Sequence, residues 1–244
     1  MKKLLLAATA VSLLTSAAFA ESHGDEKHWD YSKNGPSHWG DFSKTCAKGH
    51  AQSPINIIPG KSVKMDTNYK LKLHEDIHTS ATVIDNGHSI KVTPKVGGSI
   101  ELQGEYFVLQ QFHFHGKSEH TVAGKRYDMV SHLVHQNPET KQLAVIAVFF
   151  EEGKNNPVLD NVLNGLSSGN DIRVDPADIL PEDTQHYYHY VGSLTTPPCS
   201  ENVQWYLLKQ PVQASKYQID AFREFYVDNE RPVQELYDRQ IEAK

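Results

Sequence analysis

Two short stretches, FVLQQFHFH at residues 107–115 and MVSHLVH at residues 129–135, decide how this chain folds and what it binds. Both are rich in apolar and aromatic residues and are typical of β-strands. Side chains alternate between the two faces of a strand, so His113 and His115 share one face of the first strand. A strand that carries a His-x-His pair on one face can chelate a metal ion.

The second stretch contributes a third histidine, His132, to the same region. If the two stretches form a hairpin that turns at residues 123–124, His115 lies directly opposite His132 and three imidazoles converge. A single histidine on a strand is more often an ordinary core or surface residue. Three nitrogen donors with a fourth position left open are typical of catalytic zinc, whereas structural zinc sites close their shell, usually with thiolates.

The rest of the sequence predicts mainly β-strands. Turn residues separate short strand-like runs, and the segment at residues 21–49 is polar, aromatic and irregular. Without a repeat or a break in composition, residues 21–244 are predicted to form one mainly β domain of the α+β type. The predicted strands are 81–84, 89–93, 99–102, 106–115, 127–135 and 143–150, and the predicted helices are 156–166 and 214–226.

Composition describes an ordinary globular protein of 244 residues, 39% hydrophobic and 22% charged. The chain carries 24 Lys and Arg against 30 Asp and Glu, a formal net charge of −6. Because a basic excess is absent, neither a nucleic acid nor an anionic membrane surface is an expected partner.

The first twenty residues have the pattern of a secretory signal. Lys2 and Lys3 precede an apolar run at residues 4–14, and small residues at Ala18 and Ala20 suit a signal peptidase. An N-terminal anchor is the alternative, but the run is shorter than the ~20 residues of a membrane span. We therefore expect cleavage after Ala20 and a periplasmic or secreted product.

Export also affects how the two cysteines, Cys46 and Cys199, are interpreted. An oxidising compartment favours a structural disulfide over a reactive thiolate or a metal ligand. Two buried free thiols are the alternative.

Five motifs together resemble one known family. They are QSPIN at 52–56, QFHFH at 111–115, SEHT at 118–121, HLVH at 132–135 and GSLTTPP at 192–198. In this order they are similar to the α-class carbonic anhydrases of the bacterial exported type, and the similarity extends from Trp29 to about Arg231. The resemblance implies a single domain around a large, twisted, mostly antiparallel ten-stranded sheet with a few short helices, and a conical cleft with zinc at its base.

The same resemblance implies a set of metal-site residues. His113, His115 and His132 would hold Zn²⁺, and Gln111 would support the first of these ligands. The implied reaction is the reversible hydration of CO2 to bicarbonate and a proton by zinc-bound hydroxide. Thr195 would accept a hydrogen bond from that hydroxide and donate its own hydrogen bond to Glu119, which orients the hydroxide for attack.

The resemblance also implies residues that transfer the proton and residues that bind the substrate. His88 matches the proton shuttle, since an imidazole titrates near neutral pH, and Tyr31 and Asn86 match residues that order the water chain. Cys46 and Cys199 match a disulfide that stabilises the Thr195 loop. The substrate-binding residues implied are an apolar wall of Val134, Val145, Leu194 and Trp205, with Thr196 against bicarbonate.

One position departs from the family pattern. Two residues before the third ligand, where an acidic residue usually accepts the free N–H of that histidine, this chain has Val130. Valine cannot accept a hydrogen bond, and the neighbouring Ser131 points to the other face of the strand. We therefore expect zinc to be held less tightly or exchanged faster than is usual in the family.

Two other functions remain open at this point. The chain could be a non-catalytic zinc-binding or ligand-binding protein of the same fold, or a zinc esterase with an organic substrate. By resemblance, anions and sulfonamides are expected inhibitors, and a homodimer is left open.

Overall fold

The computed structural model describes residues 28–65 and 71–244. The predicted signal at residues 1–20 lies outside this range. Within it, no helix combines the length and the apolar character that a membrane span requires.

The described chain contains fifteen strands. They are β1 (Asn56–Ile57), β2 (Val63–Lys64), β3 (Lys72–His74), β4 (Thr79–Asp85), β5 (Ile90–Pro94), β6 (Ser99–Leu102), β7 (Glu105–His115), β8 (Thr121–Val122), β9 (Met129–Gln136), β10 (Leu143–Glu152), β11 (Ile172–Val174), β12 (Tyr187–Ser193), β13 (Glu201–Leu208), β14 (Val212–Ala214) and β15 (Glu242–Ala243).

Thirteen of these strands form one mixed sheet, and β1 pairs with β8 in a separate two-stranded sheet. Ten strands of the large sheet follow one another in the order β11-β4-β5-β7-β9-β10-β13-β12-β15-β2, while β3, β6 and β14 lie off this path. Most neighbours are antiparallel, and β10 pairs in parallel with β13 and β14. The prediction of a large, mostly antiparallel sheet is confirmed, with three strands beside the ten.

The central strand β10 explains why the core lies on both faces of the sheet. Its sequence is an almost unbroken apolar run, the pattern of a strand buried on two sides. Ile146 and Phe150 face one hydrophobic cluster, which also contains residues of the two longer helices. Ala147 and Phe149 face a second cluster on the opposite side, which also contains Trp205.

The described chain has three α-helices: α1 (Lys44–Lys48), α2 (Pro157–Ser168) and α3 (Lys216–Phe225). The two longer ones, α2 and α3, pack against the sheet. In α2, the Asn156 side chain accepts hydrogen bonds from the first turn, and Gly169 ends the helix in the left-handed region with φ of 67°. Ser215 begins α3 with a capping box. Both predicted helices are confirmed to within about two residues at each end.

The N-terminal arm is more regular than its composition suggested. It contains a 3-10 helix at Pro36–Asp41 followed by α1. The predicted disulfide is present: Cys46 in α1 is bonded to Cys199, which follows β12, across 153 residues of sequence. The Ser43 hydroxyl adds a hydrogen bond of 2.8 Å to the Pro198 carbonyl. The arm is thereby tied to the loop between β12 and β13.

We predict that replacing both cysteines, in Cys46→Ser/Cys199→Ser, lowers the free energy of unfolding by about 2–5 kcal/mol, because the crosslink restricts the unfolded chain over a long loop. Urea unfolding of the oxidised protein and of the double variant measures the loss. Reduced wild-type protein is the matched control and should unfold like the variant. A loss below about 1 kcal/mol would contradict this role for the crosslink.

Candidate metal centre

Two neighbouring strands bring three histidines together. His113 and His115 lie on β7, and His132 lies on β9. One nitrogen atom from each ring lies within 4.8 Å of the others, in a buried or half-buried position. The phenylalanines between the first two, Phe112 and Phe114, point into the core on the opposite side of the sheet, as the alternation predicted.

The predicted register between these strands is wrong by two residues. His113, not His115, lies opposite His132, and His115 pairs with Val130. The turn at residues 123–124 closes only a small loop between Val122 and Lys125, because residues 121–122 pair with β1 instead of continuing β7. A two-residue shift keeps every side chain on its face, so the three rings still converge.

The hydrogen bonds of the first two histidines leave one nitrogen free on each ring. His113 Nδ1 lies 2.9 Å from Gln111 Oε1, and His115 Nδ1 lies 2.6 Å from the main-chain oxygen of Asn229. Both partners are acceptors, so the proton sits on Nδ1 and Nε2 keeps its lone pair. His115 Nε2 is buried with no hydrogen-bond partner among the described residues.

The protonation states also suit a metal. Burial lowers the pKa of His113 and of His132 well below the ordinary histidine value, and the neighbouring imidazoles lower both further. Neutral imidazole is the form that binds metal ions. Three imidazole donors, with no fourth protein ligand beside them among the described residues, fit Zn²⁺ with an open coordination position.

The third histidine, His132, lacks a hydrogen bond at the ring nitrogen that faces away from the metal position, whereas His113 and His115 each have one. Glu119 Oε2 lies 3.5 Å from His115 Nε2 and 3.8 Å from His132 Nδ1, so these two nitrogens face a common point. The other nitrogen of His132, Nε2, is buried and has no hydrogen-bond partner within the described chain. Val130 is fully buried there. No described main-chain carbonyl replaces the acidic residue that the family pattern places at this position.

Glu119 is fully buried next to the metal site, but it does not meet Thr195 as expected. Its Oε1 accepts a hydrogen bond of 2.8 Å from the Arg231 amide, and its Oε2 has no hydrogen-bond partner in the described part of the chain. The predicted hydrogen bond from the Thr195 hydroxyl is therefore not formed. The amide occupies one carboxylate oxygen, and the other faces the histidines. Thr195 itself is buried.

A cleft of about 150 Å³ opens beside the histidines, and we call it the metal cleft. Seven of its lining residues were named from the sequence, and three were not. The seven are Tyr31, Asn86, His88, Gln111, His113, His115 and Thr196, and the three are Trp29, Ser89 and Lys91.

His88 lies in this cleft, and two neighbouring aromatic rings stack with its imidazole. Its ring stacks on Trp29 with centroids 3.7 Å apart, and His28 stacks at 5.0 Å. The backbone is fixed on both sides, since Asn86 Oδ1 accepts from the His88 N–H and Asn229 Nδ2 donates to the His88 carbonyl. Burial, and then the charge of His28, lowers the pKa of His88 below its ordinary value.

The predicted apolar wall forms one continuous surface across three strands. Val145 on β10 pairs with Val134 on β9 and with Trp205 on β13. The indole ring of Trp205 lies 4.9 Å from the His132 ring, and Leu194 packs against the same cluster. The wall therefore borders the metal site directly.

Asn229 was missed by sequence reasoning, and no local pattern marks it. Its main-chain oxygen holds His115, its Oδ1 accepts from Gly116, and its Nδ2 donates to the carbonyls of His88 and Phe114. Asn229 is far from these residues in sequence, so only the folded chain reveals its contacts with them.

Lys91, another residue of the cleft that was missed, could have been found from the sequence. It alternates with the apolar Ile90 and Val92 in a predicted strand, so its side chain was expected on the opposite face.

Comparisons with known proteins agree with this geometry. The family model described as eukaryotic-type carbonic anhydrase matches residues 34–244. A carbonic anhydrase of Pectobacterium carotovorum is 39% identical over 243 residues, covering 95% of this chain and 97% of that protein. An α-carbonic anhydrase of Thermovibrio ammonificans, solved with the inhibitor sulfanilamide, is 42% identical with a TM-score of 0.82, covering 88% of this chain and 98% of that one. The α-carbonic anhydrase of Photobacterium profundum is 36% identical with a TM-score of 0.80, covering 88% and 99%.

We predict that Val130→Glu slows zinc dissociation by about 10- to 100-fold, because a carboxylate at this position can accept the free N–H of His132. Transfer of zinc to a chromophoric chelator measures the dissociation rate without any turnover assay.

Val130→Met is the matched control, since methionine has a similar length but cannot act as an acceptor of comparable strength. It should release zinc at the wild-type rate. Equal rates for the two variants would mean that the missing acceptor does not limit zinc retention.

Proposed function

Because the chain belongs to the α-class, or eukaryotic-type, carbonic anhydrase family, we propose that its metal cleft catalyses the reversible hydration of CO2 to bicarbonate and a proton. The observation that carries this function is the buried trio His113, His115 and His132. One nitrogen of each ring lies within 4.8 Å of the others, and the part of the chain that the structure describes adds no fourth ligand to this group.

The histidines hold Zn²⁺ in a fixed orientation, helped by Gln111 and Asn229. Bound zinc supplies the Lewis acidity that makes hydroxide available at neutral pH. With hydroxide present, the Thr195 hydroxyl would accept a hydrogen bond from it and donate its own hydrogen bond to Glu119, a contact that the described residues do not form by themselves. The buried, unpartnered Oε2 of Glu119 supports this role, since it is an acceptor without a donor.

CO2 is apolar, so it needs a surface that does not compete through hydrogen bonds. Val134, Val145, Leu194 and Trp205 provide such a surface next to His132. Thr196, which lines the metal cleft, contacts bicarbonate after the carbon–oxygen bond has formed.

The proton leaves through His88. Its position in the metal cleft together with Tyr31 and Asn86 supports a short water path between the metal and this imidazole. Burial raises the pKa of Tyr31, so its hydroxyl stays protonated and can orient water.

Binding and location follow from the same family. The Thermovibrio ammonificans relative binds sulfanilamide, and this chain is proposed to bind sulfonamides and small anions in the metal cleft. Removal of residues 1–20 on export would leave the catalytic domain at 21–244, and the Cys46–Cys199 disulfide is consistent with an oxidising compartment. A homodimer stays a prediction.

Stopped-flow CO2 hydration by the zinc-loaded protein tests the function. Wild-type protein should hydrate CO2, and His113→Ala should fall to the uncatalysed rate because a metal ligand is lost. His38→Ala, which removes an exposed histidine, is the matched control and should keep full activity. A wild-type protein that binds zinc without turnover would indicate the non-catalytic binding protein. Ester hydrolysis without CO2 hydration would indicate the zinc esterase.

We predict that His88→Ala lowers kcat by about 10- to 100-fold in dilute buffer and leaves kcat/KM for CO2 unchanged, because proton export enters only kcat. Added imidazole should restore kcat. Since the pKa of His88 is lowered, its basic form persists in wild-type protein below pH 6.5, and kcat should hold there. A parallel fall of kcat and kcat/KM would show that His88 acts on structure instead.

A further inference from the structure

Lys91 occupies an unusual position for a lysine in this protein. It lies on β5, where Ile90 and Val92 point into the hydrophobic core. Alternation along the strand therefore directs Lys91 to the opposite face of the sheet. Lys91 is the direct cross-strand neighbour of His113 on β7, so it lies on the face that carries the metal site.

Its charge is isolated within the metal cleft. Lys91 is half-buried and is the only formally charged side chain among the described residues that line the cleft. Across residues 28–65 and 71–244, it forms no hydrogen bond and no ion pair, whereas Lys95, four residues further on, pairs with Asp171 at 2.6 Å. The ammonium group of Lys91 thus has three donors and no protein acceptor.

The charge of the whole protein makes this cation more significant. The chain carries a net charge of −6, which opposes the approach of an anion. The reaction proposed above has an uncharged substrate, CO2, and an anionic product, bicarbonate. A cationic side chain in the cleft, in addition to the metal, discriminates between the two, since it attracts only the anion.

We propose that Lys91 forms an anion subsite that binds bicarbonate within the metal cleft, beside His113. This inference rests on the proposed function for the identity of the anion. The subsite holds bicarbonate as it enters for dehydration or leaves after hydration. Lys91 is a binding residue here and takes no part in the transfer of protons or in the carbon–oxygen bond.

Competition at chemical equilibrium tests the subsite without measuring turnover. A fluorescent arylsulfonamide with an uncharged tail is bound to the zinc-loaded protein, and bicarbonate displaces it at constant ionic strength. Lys91→Gln should weaken bicarbonate by about 3- to 10-fold while sulfonamide affinity changes little. Lys91→Arg should keep most of the wild-type affinity. The difference between wild type and Lys91→Gln should shrink as salt is added.

Lys95→Gln is the matched control, because it removes the same charge from the same region outside the cleft. It should leave bicarbonate affinity at the wild-type value. If Lys91→Gln behaves like Lys95→Gln, the subsite does not exist, even when CO2 hydration is normal. If CO2 hydration is absent but bicarbonate displacement still depends on Lys91, the proposed function fails and the anion subsite remains.

Discussion

The pairing of β7 with β9 is the constraint on which the metal centre depends. It sets His113 opposite His132 and leaves His115 one alternation away on the same face. The strands alone do not fix the donor atoms: a neutral imidazole has its lone pair on one ring nitrogen, and the condition that fixes which one is a hydrogen bond donated by the other. Gln111 and the main chain at Asn229 provide that condition for two of the three rings. Packing fixes the positions, and hydrogen bonding fixes the tautomers.

The two faces of the sheet have different roles. One face carries the larger apolar cluster and the helices α2 and α3, and it has no role in the cleft. The other face combines the metal ligands with an apolar surface on β9, β10 and β13. A polar edge near β5, which includes His88 and Lys91, completes the cleft. Apolar and polar sides thus meet at the histidines, as expected for a site that takes an apolar gas and releases an anion.

Local patterns predicted the parts of this architecture that depend on alternation. The faces of His113 and Phe112, the strand around Ile146 and both longer helices follow from periodicity and caps. The register did not follow, because the segment between β7 and β9 leaves the large sheet, its residues 121–122 pair with β1, and no hairpin rule applies. Strands β12 and β13 were not predicted, and their polar residues interrupt any simple alternation. Asn229 and Arg231 reach the site only through tertiary contacts, so their roles were not visible in the sequence. The expected contact of Thr195 with Glu119 came from the family resemblance, and here that carboxylate turns to Arg231 and the histidines.

X-ray absorption spectroscopy of the zinc-loaded protein tests the central claim most directly. Convergence of His113, His115 and His132 predicts one zinc per chain, bound by three imidazole nitrogens and one further light atom at about 2.0–2.1 Å. Substoichiometric zinc, sulfur in the coordination shell, or the same spectrum from His132→Ala would contradict it.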